Sequence, residues 1–301
     1  MPLNVKVFDA HCDTLLSKDI HTGKSQLRKD DVLKYKNYIQ VFSICAETNY
    51  AYTKTIHFIK RFERIARDWN MEVIKDAAAL NSAKYGAILA LEGADAIHDN
   101  LSAIDLFYKK GVRLITLTWN NGNSVSSSIA DDSDRGLTPF GKEFVKKCVK
   151  KHIAVDLSHI SDKGFYDVCN ITDAPLICSH SNSRTVNKAA KRNITDDQFK
   201  ELIRRGGVTG INFYPLFLGG SADINAVIKH TEHFCSLGGE KNIGMGSDFD
   251  GISQMPTGCE GAMFFYNIAN ELLRLGYGES TVNGILYGNM HGFFNRVFYG
   301  G

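Results

Sequence analysis

Eight short apolar runs recur along the chain, at 4–9, 38–45, 86–91, 112–118, 153–158, 175–179, 208–213 and 243–247. They are rich in Val, Ile, Leu and Phe, as strands buried on both faces should be. Stretches with apolar residues at helical spacing separate most of them: 54–69, 139–151, 195–205, 222–236 and 262–275. Boundary residues agree. Thr138-Pro139 offers an N-cap followed by proline at the first helical position, and Thr195 to Gln198 reads as a capping box. Ser161-Asp162 can open a helix, and Gly206-Gly207 can close one before the seventh run. Eight strands alternating with helices predict a single domain over 1–301, a (β/α)8 barrel of the TIM type. An open doubly wound sheet competes, but it usually feeds its site from one switch point.

Here five strands end on chemically capable residues: His11 and Asp13 in VFDAHCDT, Glu92 in AILALEG, His159 in IAVDLSH, His180 in PLICSH and Asp248 in IGMGSDFDG. A parallel barrel brings all its strand C-termini to one rim, so these groups would converge. His-x-Asp on a strand sends both side chains to one face. Two strand-end imidazoles on adjacent strands can grip one ion, and a carboxylate such as Glu92 can bridge two ions. Asp248 is placed to move a proton, with Asp250 as the neighbouring candidate. The set is that of a two-metal hydrolase. The stretch 120–137, after the fourth run, is expected to shape the pocket or act as a lid.

Composition narrows the picture. A hydrophobic share of 44% over 301 residues supports a large core, and a net charge of +2 gives no reason to expect a nucleic-acid partner. The basic clusters around Cys148 (KKCVKK) and Arg204 (IRRGG) read as solvated helix faces. No run approaches the ~18 apolar residues of a membrane span, and the N-terminus lacks a signal-peptide pattern, so a cytoplasmic protein away from membranes is expected. The seven cysteines are odd in number and form no CxxC pair, which suits free thiols in a reducing compartment. Cys12 should point away from its neighbours His11 and Asp13. His230 and His233, three apart on a helix, read as a solvated outer face. His21, His57, His98, His152 and His291 read as surface or packing residues.

Over nearly its whole length the chain resembles the membrane (renal) dipeptidase family of zinc peptidases. The matching stretches, in order, are FDAHCDT, LALEGAD, LTWN, VDLSH, SHSNSR, KRNITDD, GINFY and GSDFDG. The resemblance implies two Zn2+ per chain, the first on His11 and Asp13 and the second on His159 and His180, with Glu92 bridging. It implies that a bridging hydroxide attacks the amide of a dipeptide, and that Asp248 is the acid/base. Arg192 would read the substrate's C-terminal carboxylate beside Tyr214, and a C-terminal D-residue would be tolerated. The expected partners are a small dipeptide and, as a candidate assembly, a second copy of the chain.

Two departures stand out. Trp119 occupies the position where well-studied members carry a histidine that stabilises the tetrahedral intermediate; Trp119, Asn120 or Asn121 would have to take over. The spacing from His180 to Arg192 is one residue longer. The competing readings are a barrel metallohydrolase acting on another amide, lactone or ester, and a non-catalytic binding homologue.

Overall fold

β1 (Leu3–Cys12) and β2 (Tyr35–Cys45) begin a parallel sheet that continues through β4 (Tyr85–Glu92), β5 (Val112–Thr116), β6 (Ala154–Asp156), β7 (Ile177–Cys178), β8 (Val208–Ile211) and β9 (Ile243–Met245). Pairing of β2 with β4, and of β1 with both β2 and β9, closes the ring at eight strands. The remaining strand, β3 (Glu72–Val73), pairs with Gly86 and Ala87 of β4, below the point where β5 joins at Leu89. This computed structural model describes residues 3–20, 22–46 and 51–299. His21 lies outside them.

Helices wrap the ring. The sequence-predicted ones appear as α2 (Ala51–Asp68), α5 (Pro139–Lys150), α7 (Asp196–Arg204), α9 (Ile224–Ser236) and α10 (Phe264–Arg274). Before them lies α1 (Lys29–Val32), and between them lie α3 (Ala77–Ser82), α4 (Ser102–Lys109), α6 (Asp162–Cys169) and α8 (Pro215–Leu218). α11 (Glu279–Asn283), a π turn (Gly284–Gly288) and α12 (Asn289–Tyr299) complete the order. The caps form as the sequence predicts. Thr138 Oγ1 accepts from Gly141 N–H at 2.9 Å, Ser161 Oγ from Gly164 N–H at 3.1 Å, and Thr195 and Gln198 exchange reciprocal bonds.

Two apolar layers result. The outer one packs strand residues such as Phe42, Leu89, Leu91 and Ile115 against the helices. The inner one holds Phe8, Ala10, Ile39, Val41, Ile88, Ala90 and Leu114, with Met290, Phe293, Phe294 and Val297 of α12. Phe294 stacks on Phe8 at 5.3 Å between centroids, so α12 plugs the end of the barrel where the strands begin. The opposite rim is left for the strand-end residues.

β1 reaches that rim with one extra residue. Its register on β2 advances from Asp9↔Gln40 to Cys12↔Phe42, three steps against two. This bulge reverses the alternation. Ala10 belongs to the inner layer, yet His11 also turns inward and Cys12 packs in the outer layer.

Candidate metal centre

Glu92 ends β4 with its carboxylate almost fully buried, and one oxygen collects three imidazoles. Glu92 Oε1 lies 3.6 Å from His11 Nε2, 3.2 Å from His159 Nε2 and 3.3 Å from His180 Nε2. On one side His11 Nε2 also meets Asp13 Oδ2 at 3.3 Å. On the other, His159 Nε2 and His180 Nε2 approach to 3.0 Å. The donor atoms therefore form two groups with Glu92 in common: His11, Asp13 and Glu92, then Glu92, His159 and His180. A third grouping joins His11, His180 and Asp248.

The donor set fits metal ions. Ligands at ~2.0–2.1 Å around a tetrahedral ion stand about 3.3–3.4 Å apart, close to the spacings found here. Asp13 Oδ1 is buried without a hydrogen-bond partner, as are the Nδ1 atoms of His11 and His159. Burial pushes the Glu92 carboxyl well above its ordinary range and the His159 and His180 imidazoles well below theirs, with Arg192 and His11 adding to the latter. Burial also pulls His11 down, but Glu92, Asp13 and Asp248 outweigh it and raise this imidazole to about 10. The buried carboxylates thus favour positive charge among them, which a divalent cation supplies better than a proton.

Glycines let the backbone close in. A Cβ on Gly246 would stand 1.9 Å from Ser179 O, and one on Gly251 would stand 2.1 Å from Asp13 Oδ2. Asp248 follows β9 with φ +64° and points to the centre, its Oδ1 3.8 Å from His11 Nε2. Its Oδ2 accepts a bond from Asn212 Nδ2 at 2.9 Å. Burial raises its carboxyl to about 6, against the opposing pull of His11. Asp250 is committed elsewhere: it accepts from Thr14 Oγ1 at 2.6 Å and from Gln26 N–H at 2.8 Å.

A cavity of about 510 Å3 opens over these groups, lined by Asp13, Glu92, Trp119, His159, Tyr214 and Asp248 among others. Trp119 and Tyr214 therefore reach the predicted site. Arg192 stands behind it, donating from Nη1 to Ser181 Oγ at 2.7 Å and from Nη2 to His180 O at 3.2 Å, while its Nε is buried without a partner. The 120–137 stretch shapes the wall. Ser128 Oγ lies 2.7 Å from Trp119 O and 3.1 Å from His159 O, with one hydroxyl proton to serve both carbonyls, so the stretch is held against the centre.

Comparison with known proteins fits this geometry. The profile of the membrane dipeptidase family, peptidase family M19, matches residues 2–298. The chain belongs to that family. A dipeptidase of Schizosaccharomyces pombe, itself uncharacterized, is 37% identical over 192 residues; the match takes in 61% of this chain and 46% of the yeast one. This chain thus spans about half the length of that curated relative. Among solved structures, a metallopeptidase from Rhodobacter sphaeroides superposes with a TM-score of 0.88 at 25% identity, covering 98% of this chain and 100% of its own. Its structure carries a phosphinate mimic of the dipeptide L-Ala-D-Ala. Dipeptidase AC, an M19 metallopeptidase, superposes at 0.90 with 24% identity over 98% of this chain and 99% of its own, a likeness of fold. Members of this family hydrolyse peptide bonds. No described helix is long and apolar enough to cross a membrane.

Several expectations need correction. His230 is not on a solvated face. It is fully buried, with Nδ1 accepting from Ser183 N–H at 3.1 Å and Nε2 meeting Leu218 O at 3.0 Å, and α9 turns that face to the barrel. His233 does not pair with it; it is half-buried and meets Asp196 at 2.8 Å. Arg204 is solvated, but Arg205 is buried, tied to Glu201 and to the carbonyls of Thr172 and Cys169. The KKCVKK cluster does lie on an outer face, where Lys147 pairs with Asp105.

Three buried residues of the site escaped sequence reasoning: Asn212, Asp156 and Ser179. Each is a polar group inside or beside an apolar run (208–213, 153–158 and 175–179). That interruption was the available signal.

Proposed function

We propose that this chain is a binuclear zinc dipeptidase. The observation that carries the reading is Glu92 Oε1, which stands 3.2–3.6 Å from imidazoles of both ligand groups. His11 and Asp13 would hold one ion, His159 and His180 the other, and Glu92 both. Bound there, the ions supply Lewis acidity toward an amide carbonyl and lower the pKa of water. The remaining tasks fall to side chains. With Oδ2 of Asp248 held by Asn212, its Oδ1 faces the centre and can take a proton from water and return it to the leaving amine. Arg192 makes no ion pair among the described residues, and beyond its bonds to Ser181 Oγ and His180 O it keeps one further hydrogen on each Nη and one on Nε, so it is our candidate for meeting a substrate's free carboxylate. Trp119 and Tyr214 wall the substrate side chains. The L-Ala-D-Ala mimic held by the Rhodobacter enzyme supports dipeptides with a C-terminal D-residue as substrates here.

The second reading is hydrolysis of another amide, lactone or ester. Trp119 in the cavity wall favours it, because an apolar donor-only indole stands where the family resemblance leads one to expect an imidazole. A panel of L,L and L,D dipeptides and their C-terminal amides, assayed with zinc content measured in parallel, separates the two. We expect two zinc ions per chain, cleavage of dipeptides and poor cleavage of the amides. At most one zinc in protein supplied with excess ion overturns the binuclear reading. Equal cleavage of a dipeptide and its amide removes Arg192 from the site.

A further inference from the structure

Asp156, the last residue of β6, is fully buried and accepts hydrogen bonds from four donors. Oδ1 takes the backbone N–H groups of Ser158 at 3.0 Å and Ser179 at 2.9 Å. Oδ2 takes the hydroxyls of Thr116 and Ser179, each at 2.6 Å. The one hydroxyl proton of Ser179 is thereby spent on Asp156. Yet Ser179 Oγ also lies 2.6 Å from His180 Nδ1. With no proton left to give, the hydroxyl can only accept. The imidazole must then carry its hydrogen on Nδ1, which leaves the Nε2 lone pair facing His159 and Glu92. His180 alone among the three imidazoles has this support, since Nδ1 of His11 and of His159 are buried without partners.

We propose that Asp156, acting through Ser179, is a positioning residue that fixes the tautomer of His180 and thereby gives the His159/His180 side of the centre its affinity for metal. The inference rests on the reading of His180 as a ligand. It concerns the polarity of the Asp156–Ser179–His180 relay, and Asp156→Asn reverses that polarity. The amide oxygen still accepts the two backbone bonds. The NH2 group, in place of Oδ2, now donates to Thr116 and Ser179. The hydroxyl of Ser179 is released and turns to the atom 2.6 Å away, His180 Nδ1. The imidazole hydrogen moves to Nε2, where it blocks the metal.

The fold supplies its own control. Asp9 on β1 makes a clamp of the same build, accepting Ser247 N–H at 2.8 Å and the Ser247 hydroxyl at 2.6 Å. Ser247 precedes Asp248 as Ser179 precedes His180. But Ser247 Oγ receives the backbone N–H of Phe249, not an imidazole. Asp9→Asn loosens a strand seam without reversing any tautomer.

The test uses full-length chain labelled with 15N-histidine, with zinc affinity measured by chelator competition. In Asp156→Asn the His180 nitrogens of the zinc-free protein should exchange their protonated and unprotonated shifts. One zinc should bind about 10–100-fold more weakly, the usual cost of losing such a support, while the other holds. Ser179→Ala, which removes the relay without reversing it, should weaken the same zinc by less and serves if Asp156→Asn does not fold. Asp9→Asn should lower the melting temperature and leave the His180 shifts in place. Wild-type shifts and affinities in Asp156→Asn, or in Ser179→Ala if that is the variant available, overturn the proposal. So does an equal change of the His180 shifts in Asp9→Asn. Failure of the unmodified chain to bind zinc would instead overturn the dipeptidase reading.

Discussion

Asp248 and His159 both sit in the left-handed backbone region, at φ +64° and +67°. That region costs an L-residue about 1–2 kcal/mol, and it persists where surrounding contacts over-determine it. At Asp248 those contacts are the bond from its own N–H to His11 O at 3.2 Å and the one from Asn212 to its side chain. Asp248→Asn keeps the shape of the residue and removes its basicity. We expect both metals to stay and turnover to fall by about 10²–10⁴-fold, the worth of a general acid/base; loss of a full metal equivalent would make Asp248 a ligand instead. Trp119→His tests the other unusual residue. It should raise turnover of simple dipeptides or reorder which are preferred, because an imidazole donor typically contributes on the order of 10²–10³-fold to oxyanion stabilisation. An unchanged rate and profile in folded, zinc-loaded protein takes Trp119 out of the substrate site. The candidate ligands themselves were legible in sequence because Glu92, His159 and His180 follow an apolar run directly, and His11 and Asp13 come within four residues of one. Their backbone angles were not, since nothing in a lone His or Asp announces a positive φ.

At the scale of elements, the periodicity located the eight barrel strands, and the caps at Thr138, Ser161 and Thr195 located three helix starts. What it missed has physical causes. The bulge in β1 changes which face His11 takes, and its only trace is a register against β2, some thirty residues on. β3 is two residues long, too short for any period. α12 reads as amphipathic in isolation, but its role as a plug depends on a barrel end assembled from the whole chain. The burial of His230 likewise follows from which side α9 lays on the sheet. α12 offers a direct check. Phe294→Ala removes a buried ring stacked on Phe8 and should cost about 3–5 kcal/mol, read as a lowered denaturation midpoint. The candidate metal ligands are at the other rim, so the metal content of the folded fraction should be unchanged.

For the molecule as a whole, the centre couples charge to stability. In zinc-free protein, His11 is raised to about 10, against about 6.5 in an unfolded chain. A raised value contributes stability fully below pH 6.5 and loses it as pH climbs to 10. Asp248, raised to about 6, has the same sign over a lower window, and Glu92, also raised by burial, has the same sign. His159 and His180 are lowered, so their contribution is lost only as pH falls below 6.5. Between pH 7 and 9 the melting temperature of chelated protein should therefore fall, while zinc-loaded protein should hold, because the ion replaces the proton. A flat profile in the chelated form would mean that His11 carries no proton there. The ring's seam sets a further constraint, one of time. Ser247 meets Asp9 across 238 residues of sequence; at roughly 5–20 residues per second, the first strand waits on the order of ten to fifty seconds on the ribosome for its second neighbour, β9. Until then Asp248, which follows β9, is missing from the rim, so the candidate centre is assembled only when nearly the whole chain has been made.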